Sequence, residues 1–388
     1  MSPASRNRPK VLLLTPLYPP AYRGGGPIRT TEALVETHGD KFDFYVITSD
    51  TDWGESTPLD VETDRWVQKR KAQVTYTRAR NVGSLLWAYL SGMRLRPDFV
   101  YINSFLSPKF SILPVALSRI GLFGKATVVI APRGEFGIAA LALKGRKKQA
   151  FLLWSRLSGL HRNVIWHASS EIEAQDIRQN KPSAQVVIRL NESNLPTKAI
   201  RKSRPDDGIV RLIFISRISE IKGVKLLLEA LSAVAQTVAI DLYGSAQNPG
   251  YLAECRELAT KLPENVTASF KGSIENSQVR SLFAEADAFF LPTEQENFGH
   301  AIAESLSAGC PVVIGDVTPW TETVRDGGGA IVRERTAQAW GQALRDYCSI
   351  SHSDRMKLKG QAADAYEKWR ADHEGPSIFE LVTDNLAQ

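Results

Sequence analysis

Two glutamates eight residues apart, Glu296 and Glu304, bracket the run Asn297-Phe298-Gly299-His300. A carboxylate accepts hydrogen bonds from two neighbouring hydroxyls at once, which suits a sugar or ribose diol. An apolar run, Ala288–Leu291, ends at Pro292 just before them, and Gly309 precedes a second apolar run, Pro311–Ile314. The pair therefore falls on a strand–loop–helix–strand unit, with a helix expected from Gly299 to Ala308. The first N–H groups of such a helix, near Phe298 to Ala301, lack partners within it and favour an anion such as a diphosphate. Taken alone, either glutamate reads as a structural helix residue. Together on this unit they read as a ligand site.

A second constellation follows another apolar run. Val210–Ile215 leads into Ser216-Arg217-Ile218-Ser219-Glu220-Ile221-Lys222-Gly223, with two cations five residues apart. Arg217 offers a planar fork to phosphate oxygens and Lys222 a compact charge, a pair suited to stabilising a diphosphate leaving group. Near the start, Gly24-Gly25-Gly26-Pro27 follows the run Val11–Leu14; the glycines permit close backbone approach and Pro27 suits a helix opening. This loop lacks the Gly-Lys-Ser/Thr of a phosphate-binding P-loop and the G-x-G-x-x-G of a dinucleotide fold. Pro132-Arg133-Gly134-Glu135 follows a further run, and Glu135 is a candidate for contacting hydroxyls. His167 stands at a strand end and reads as a hydrogen-bonded structural residue.

The elements that must position these residues repeat as strand, turn, helix. Apolar runs at Val11–Leu14, Phe44–Thr48, Phe99–Asn103, Thr127–Ala131, Val164–Ala168 and Gln185–Ile188 predict strands of a parallel sheet buried on both faces. From Asn191 to Asp207 the composition turns to Asn, Ser, Pro, Lys, Arg and Asp, marking a linker. A second series follows at Val210–Ile215, Ala239–Tyr243, Val266–Phe270, Ala288–Leu291, Pro311–Ile314 and Ala330–Val332. The expected domains are 1–195 and 208–365, both Rossmann-like α/β. A helical segment, 366–388, is expected to pack back across the first, with Trp340, Tyr347, Tyr366, Trp369 and Phe379 in cores. Ligands of open α/β sheets bind beyond the carboxyl ends of strands, and the residues singled out above lie in such loops, apart from Glu304 in the helix that follows one and His167 at a strand end.

The segment Glu-Asn-Phe-Gly-His-x3-Glu-x4-Gly-x-Pro-Val, with Asp316-Val317-Thr318-Pro319-Trp320 after it, resembles the E-x7-E region of the group 1 (family 4) retaining glycosyltransferases of GT-B fold. That resemblance implies two facing Rossmann-like domains with an interdomain cleft. It implies that Glu296 holds the transferred sugar, that Glu304 holds the ribose, and that Asn297, Phe298 and Gly299 meet sugar and phosphates. Arg217-x4-Lys222-Gly223 resembles the family's phosphate-binding element, so Arg217, Lys222 and Glu296 are the expected catalytic set. Gly25 and Gly26 match its first glycine-rich loop, near donor phosphate and acceptor. Pro-Arg-Gly-Glu, with Ala140-Leu141 and Lys144–Lys148, resembles members that build polysaccharides, which makes Arg133 and Glu135 acceptor-side candidates. Many relatives carry His-Gly where this chain has Arg133-Gly134.

The implied reaction moves a hexose-type sugar from a nucleotide-diphosphate sugar to a hydroxyl of a glycan or lipid-linked acceptor, with retention and without metal or cofactor. Residues 208–365, which carry the motifs expected to hold the diphosphate, contain no Asp-x-Asp to recruit a divalent ion there. A nucleotide-sugar epimerase on the same fold, or a non-catalytic nucleotide-sugar-binding subunit, would share these motifs. Product formed without any acceptor would identify the first, and donor binding without turnover the second.

Composition is that of a globular chain: 388 residues, 43% hydrophobic, 23% charged, net +6. Three scattered cysteines, Cys255, Cys310 and Cys348, make neither a disulfide framework nor a thiolate metal cluster. With no apolar signal-like region before Val11, a cytoplasmic protein is expected, and no nucleic-acid partner. The basic stretch from Arg133 to Arg162 reads as a solvated helix face, or as a peripheral contact with anionic lipid at the inner membrane face.

Overall fold

The computed structural model describes residues 8–137, 145–246 and 248–387. Ala140, Leu141 and Lys144 of the polysaccharide-type segment lie outside the described residues. The side chains of Arg146, Lys147 and Lys148 are likewise outside those described. Two compact units are present, Met1–Asn194 with Gly375–Gln388, and Leu195–Glu374.

The strands of the first unit are Lys10–Leu14 (β1), Asp43–Ser49 (β2), Val67–Lys69 (β3), Ala72–Thr77 (β4), Phe99–Ile102 (β5), Thr127–Ile130 (β6), Ile165–Ala168 (β7) and Gln185–Ile188 (β8). They form an eight-stranded sheet in the order β3-β4-β2-β1-β5-β6-β7-β8. Only the β3–β4 pairing is antiparallel. Because side chains alternate along a strand, β1 serves two cores. Val11 and Leu13 face Leu34 and Val35 of helix α1 (Gly26–His38). Leu12 and Leu14 face Ala88 and Tyr89 of α2 (Val82–Arg94). Helix Leu113–Arg119 (α3), Gly145–Leu157 (α4) and Glu171–Asn180 (α5) complete this part of the unit.

The sequence reading omitted β3 and β4. In β4 buried threonines, Thr75 and Thr77, stand where an aliphatic run would have marked a strand. Thr77 Oγ1 donates to the Thr48 carbonyl at 3.0 Å, which accommodates a hydroxyl indoors.

In the second unit β9 (Val210–Ile215), β10 (Val238–Tyr243), β11 (Val266–Gly272), β12 (Ala288–Leu291), β13 (Val312–Gly315) and β14 (Gly329–Val332) are all parallel. Their order is β11-β10-β9-β12-β13-β14. Chain order reverses between β9 and β12, which makes their carboxyl ends the switch point where open α/β sheets take ligands. The helices here are Val224–Leu231 (α6), Pro249–Thr260 (α7), Asn276–Glu285 (α8), His300–Ser307 (α9), Ala337–Ser349 (α10) and His352–Asp372 (α11).

The edges of the units differ from those read in the sequence. Residues 195–207, expected as linker, form no helix or strand but are strapped to the second unit. Tyr366 Oη donates to the Pro196 carbonyl, the Ile200 N–H to the Ser307 carbonyl, and Arg204 pairs with buried Asp287 at 2.7 Å. The expected terminal segment 366–388 divides. Helix α11 stays in the second unit through Asp372, while helix Ile378–Ala387 (α12) belongs to the first. There Phe379 packs against Phe42, Phe44, Phe99 and Tyr101. Trp340, Tyr347, Tyr366 and Trp369 are buried in the second unit.

Candidate functional site

At the switch point of the second sheet, the loop after β9 and the loop after β12 are sewn together. The Glu294 N–H donates to the Ile221 carbonyl at 2.8 Å, and Thr293 Oγ1 lies 3.3 Å from the same oxygen. Arg335, from beyond β14, donates to the Pro292 carbonyl at 3.2 Å and the Glu220 carbonyl at 3.1 Å, and pairs with Glu294 at 2.8 Å. One planar guanidinium thus spans both loops, which an ammonium is too compact to do.

Two glycines make the close approach possible. Gly223 has φ +73°, and a Cβ there would stand 2.3 Å from the Pro292 carbonyl oxygen. A Cβ on Gly244, φ +148°, would stand 1.8 Å from the Ser216 carbonyl oxygen, so the loops after β9 and β10 touch backbone to backbone.

This stitching brings Lys222 to Glu296. Its Nζ donates to Oε2 at 2.6 Å, with side chains 9% and 21% exposed. Glu296 also lies against the opening of α9, its Cγ 3.1 Å from the position a Cβ on Gly299 would take. Gly299 caps α9 in a left-handed conformation (φ 81°, ψ 59°) with no side-chain cap, and the first-turn N–H groups of a helix have no acceptor within it and favour an anion. Behind the loop, Trp320 Nε1 donates to the Phe298 carbonyl, and Trp320 packs on Trp369 with ring centroids 4.3 Å apart. Phe298 is buried in this aromatic cluster, Asn297 is half-buried, and Glu304 is a buried carboxylate on α9.

Arg217 is exposed two residues beyond β9, its segment pinned by Ser216 N–H to the Tyr243 carbonyl and Ile218 N–H to the Ser245 carbonyl. The second unit therefore gathers a cation, a sugar-type carboxylate and an open helix start around one turn. That arrangement can hold an anion joined to a polyol.

The remaining candidates lie in the first unit. Gly25 (φ 68°) caps α1 and Gly26 begins it, with no side-chain cap. Their loop is braced by Asp52, whose carboxylate accepts from the N–H groups of Tyr22 and Arg23. Arg133, at φ 53°, donates through Nε to Asn103 Oδ1 at 2.7 Å, through Nη2 to Tyr101 Oη at 2.6 Å, and through Nη1 to Asn191 Oδ1. Tyr101 Oη in turn donates to His167 Nδ1 at 2.7 Å, while His167 Nε2 donates to the Arg189 carbonyl. Burial, then the nearby Arg133 charge, holds the His167 pKa down at about 3, so the ring is neutral and serves as a relay of hydrogen bonds.

Glu135 was expected to reach an acceptor. Its carboxylate instead accepts from Ser104 Oγ and from the N–H groups of Phe105 (2.8 Å) and Leu106 (2.6 Å). It shapes the loop after β5, the first sheet's own switch point. Buried Glu173 does the same for Gly134 and Ser169.

Sequence reasoning missed Arg335, Thr293 and the steric roles of Gly223 and Gly244. Arg335 carries no local signal because the two carbonyls it bonds lie 43 and 115 residues away in the chain. Gly244 could have been found from its place directly after a strand.

Residues 197–364 match the family model described as "Glycosyl transferases group 1". The D-inositol 3-phosphate glycosyltransferase of Corynebacterium kroppenstedtii is 24% identical over 213 residues, 52% of this chain and 46% of that protein. An uncharacterized glycosyltransferase of Methanocaldococcus jannaschii is 24% identical over 187 residues, 46% of each chain. The match thus spans just under half the length of these curated relatives. Among solved structures, Anabaena HepE in complex with UDP and glucose superposes with a TM-score of 0.68 at 18% identity, covering 93% of this chain and 95% of that one. Sucrose-phosphate synthase from Thermosynechococcus elongatus gives a TM-score of 0.68 at 15% identity, covering 93% and 94%. The fold is that of the GT-B glycosyltransferases. Over residues 197–364, the chain carries a group 1 glycosyltransferase domain.

Proposed function

We propose that the protein is a retaining, metal-independent hexosyltransferase acting on a nucleoside diphosphate sugar. It passes the sugar to a hydroxyl of a glycan or lipid-linked acceptor in exopolysaccharide- or lipopolysaccharide-type biosynthesis, at the inner face of the cytoplasmic membrane. The observation that carries this reading is the Lys222–Glu296 pair at the β9/β12 switch point, beside the open start of α9. The complexes of Anabaena HepE with UDP and with UDP-glucose favour a donor of that class.

In this reading the diphosphate lies on the first N–H groups of α9 with Arg217 and Lys222 as counter-charges, and no metal is required. Glu296 accepts from hydroxyls of the sugar, Glu304 from those of the ribose, and the backbone at Asn297–Gly299 lies along both. Gly25 and Gly26 contact the donor, and the loop held by Arg133 and Glu135 serves the acceptor. The bond from the anomeric carbon to the phosphate oxygen breaks as the acceptor oxygen bonds on the same face. The acceptor's proton passes to the departing phosphate, so catalysis is positioning and charge stabilisation.

The test is Lys222→Ala in the full chain, assayed against a panel of nucleotide sugars first shown to raise its Tm. Transfer is expected to fall about a hundredfold or more with the fold intact, the scale of losing a charge-assisted contact to the leaving group. Wild-type turnover by that variant, or undiminished turnover of the wild type in chelator failing to appear, would overturn the corresponding assignment.

A further inference from the structure

Helix α2 (Val82–Arg94) is apolar on both sides. Ala88, Tyr89 and Gly92 are buried against the sheet, and a Cβ on Gly92 would stand 3.1 Å from Leu12. Val82, Leu86 and Leu90, four residues apart, form a stripe on the outer side, 79%, 57% and 45% exposed, with Trp87 beside them. A helix that is apolar all round is normally covered on all sides.

The apolar surface continues from α2. Ile120 (72% exposed) and Leu122 follow α3, and Met93 and Arg96 at the end of α2 share a cavity of about 500 Å³ with Gly121–Lys125. The end of α2 therefore adjoins the Gly121–Lys125 turn, and the exposed apolar side chains of both mark an interaction surface.

Charge selects what covers it. From Arg80 to Lys125, the span that carries α2 and the Ile120–Leu122 turn, the sequence holds six Lys and Arg against one carboxylate, Asp98, although the whole chain is only +6. Asp98 accepts the Lys10 N–H and lines the same cavity as Arg96, Leu122 and Lys125, so this one carboxylate offsets part of the charge and leaves an excess of cations. Arg80 and Arg94 bracket α2 in the chain, Arg119 and Lys125 bracket Ile120 and Leu122, and all four are exposed and form no ion pair among the described residues. Exposed leucine, isoleucine and tryptophan flanked along the chain by arginine and lysine match the boundary between acyl chains and anionic headgroups.

We infer that the outer face of α2, with Ile120 and Leu122, docks the first unit onto an anionic lipid bilayer. The site is distinct from the Arg133–Arg162 stretch read from the sequence. It deepens the membrane-linked part of the proposed function and leaves the donor site out of account. A layer of apolar side chains enters the headgroup region while the arginines and lysines meet phosphate. No helix among the described residues is long and apolar enough to cross a membrane, so attachment here is by a surface.

The experiment is vesicle co-sedimentation of the full chain with phosphatidylglycerol/phosphatidylcholine and with pure phosphatidylcholine vesicles. It compares wild type with Leu86→Ser/Leu90→Ser and with Arg94→Gln/Arg119→Gln. Wild type should bind the anionic vesicles at low salt and lose that binding as salt rises. The serine pair should lower partition about tenfold or more, since two leucines lose their burial in lipid. The glutamine pair should lower it on anionic vesicles.

Both pairs replace exposed side chains and should keep the wild-type Tm and UDP binding, which separates this surface from the donor site. Absence of wild-type binding to anionic vesicles overturns the inference. So does binding that both variants retain, or a wild-type dimer in light scattering that the serine pair dissolves, which would make a second copy the occupant.

Discussion

Glu296→Gln should tighten the binding of UDP while slowing transfer. Lys222 and Glu296 pair at 2.6 Å with little exposure, so the carboxylate offsets the cation proposed to meet phosphate. Gln keeps the size and an acceptor oxygen for Lys222 but removes one negative charge from the site. With side chains 9% and 21% exposed, the medium lies between protein interior and water. At an effective dielectric of ~40, a phosphate charge ~6 Å from the carboxylate is repelled by about 1.4 kcal/mol. Relief of that repulsion corresponds to about tenfold tighter UDP. Loss of charge-assisted bonds to the sugar, ~1.5–3 kcal/mol, should lower turnover roughly ten- to a hundredfold. Titration calorimetry with UDP, repeated at two salt concentrations, and steady-state transfer measure the two effects. UDP affinity unchanged or weakened in Glu296→Gln would refute the idea that this carboxylate competes with the diphosphate for Lys222.

Gly244→Ala puts a methyl 1.8 Å from the Ser216 carbonyl oxygen, whereas Gly208→Ala (φ 74°) meets nothing within 4 Å. The first should cost ~2 kcal/mol more than the second, read as the difference in Tm, since it adds overlap to backbone strain. Arg335→Lys should weaken UDP binding nearly as much as Arg335→Ala, about five- to tenfold, because one ammonium cannot bridge the Pro292 and Glu220 carbonyls. Rescue by lysine would show that charge, not span, matters there. His161, between Phe105 and Trp166, and His167 both have pKa values held at about 3 by burial, below the ordinary 6.5. Between those values the unfolded chain binds the extra protons, so stability is full above pH 6.5 and falls as pH drops toward 3. Urea unfolding of His161→Phe across that window should show a shallower loss, and an unchanged slope would contradict the buried neutral ring.

Much of the second unit was legible because its physics is local. Runs such as Phe289-Phe290-Leu291 are buried on both sheet faces, and Gly299 and Gly309 mark the ends of α9 within the same short stretch. The phosphate-type pair and the sugar-type glutamate were named from their loops, and the structure joins Lys222 to Glu296. What stayed hidden depends on distant partners or on spent valence. Glu135 looks available in sequence, yet Ser104 donates to its Oε1 and the Phe105 and Leu106 N–H groups to its Oε2. Arg335 looks like any surface arginine until the two carbonyls it spans are folded beneath it. In β4 threonines replaced the aliphatic signal of a strand. The true edge of the second unit was blurred because 195–207 is held by side chains such as Arg204 rather than by regular structure.

Helix α12 completes the core of the first unit although the whole of the second intervenes between it and β8. On a ribosome the second unit has all of its strands before the first has its last helix. The earlier-made half must wait, with Phe42, Phe44 and Phe99 uncovered, for the later-made half to be finished. Synthesis order and completion order are therefore inverted, and a nascent chain halted before Ile378 would display an oily face that attracts chaperones.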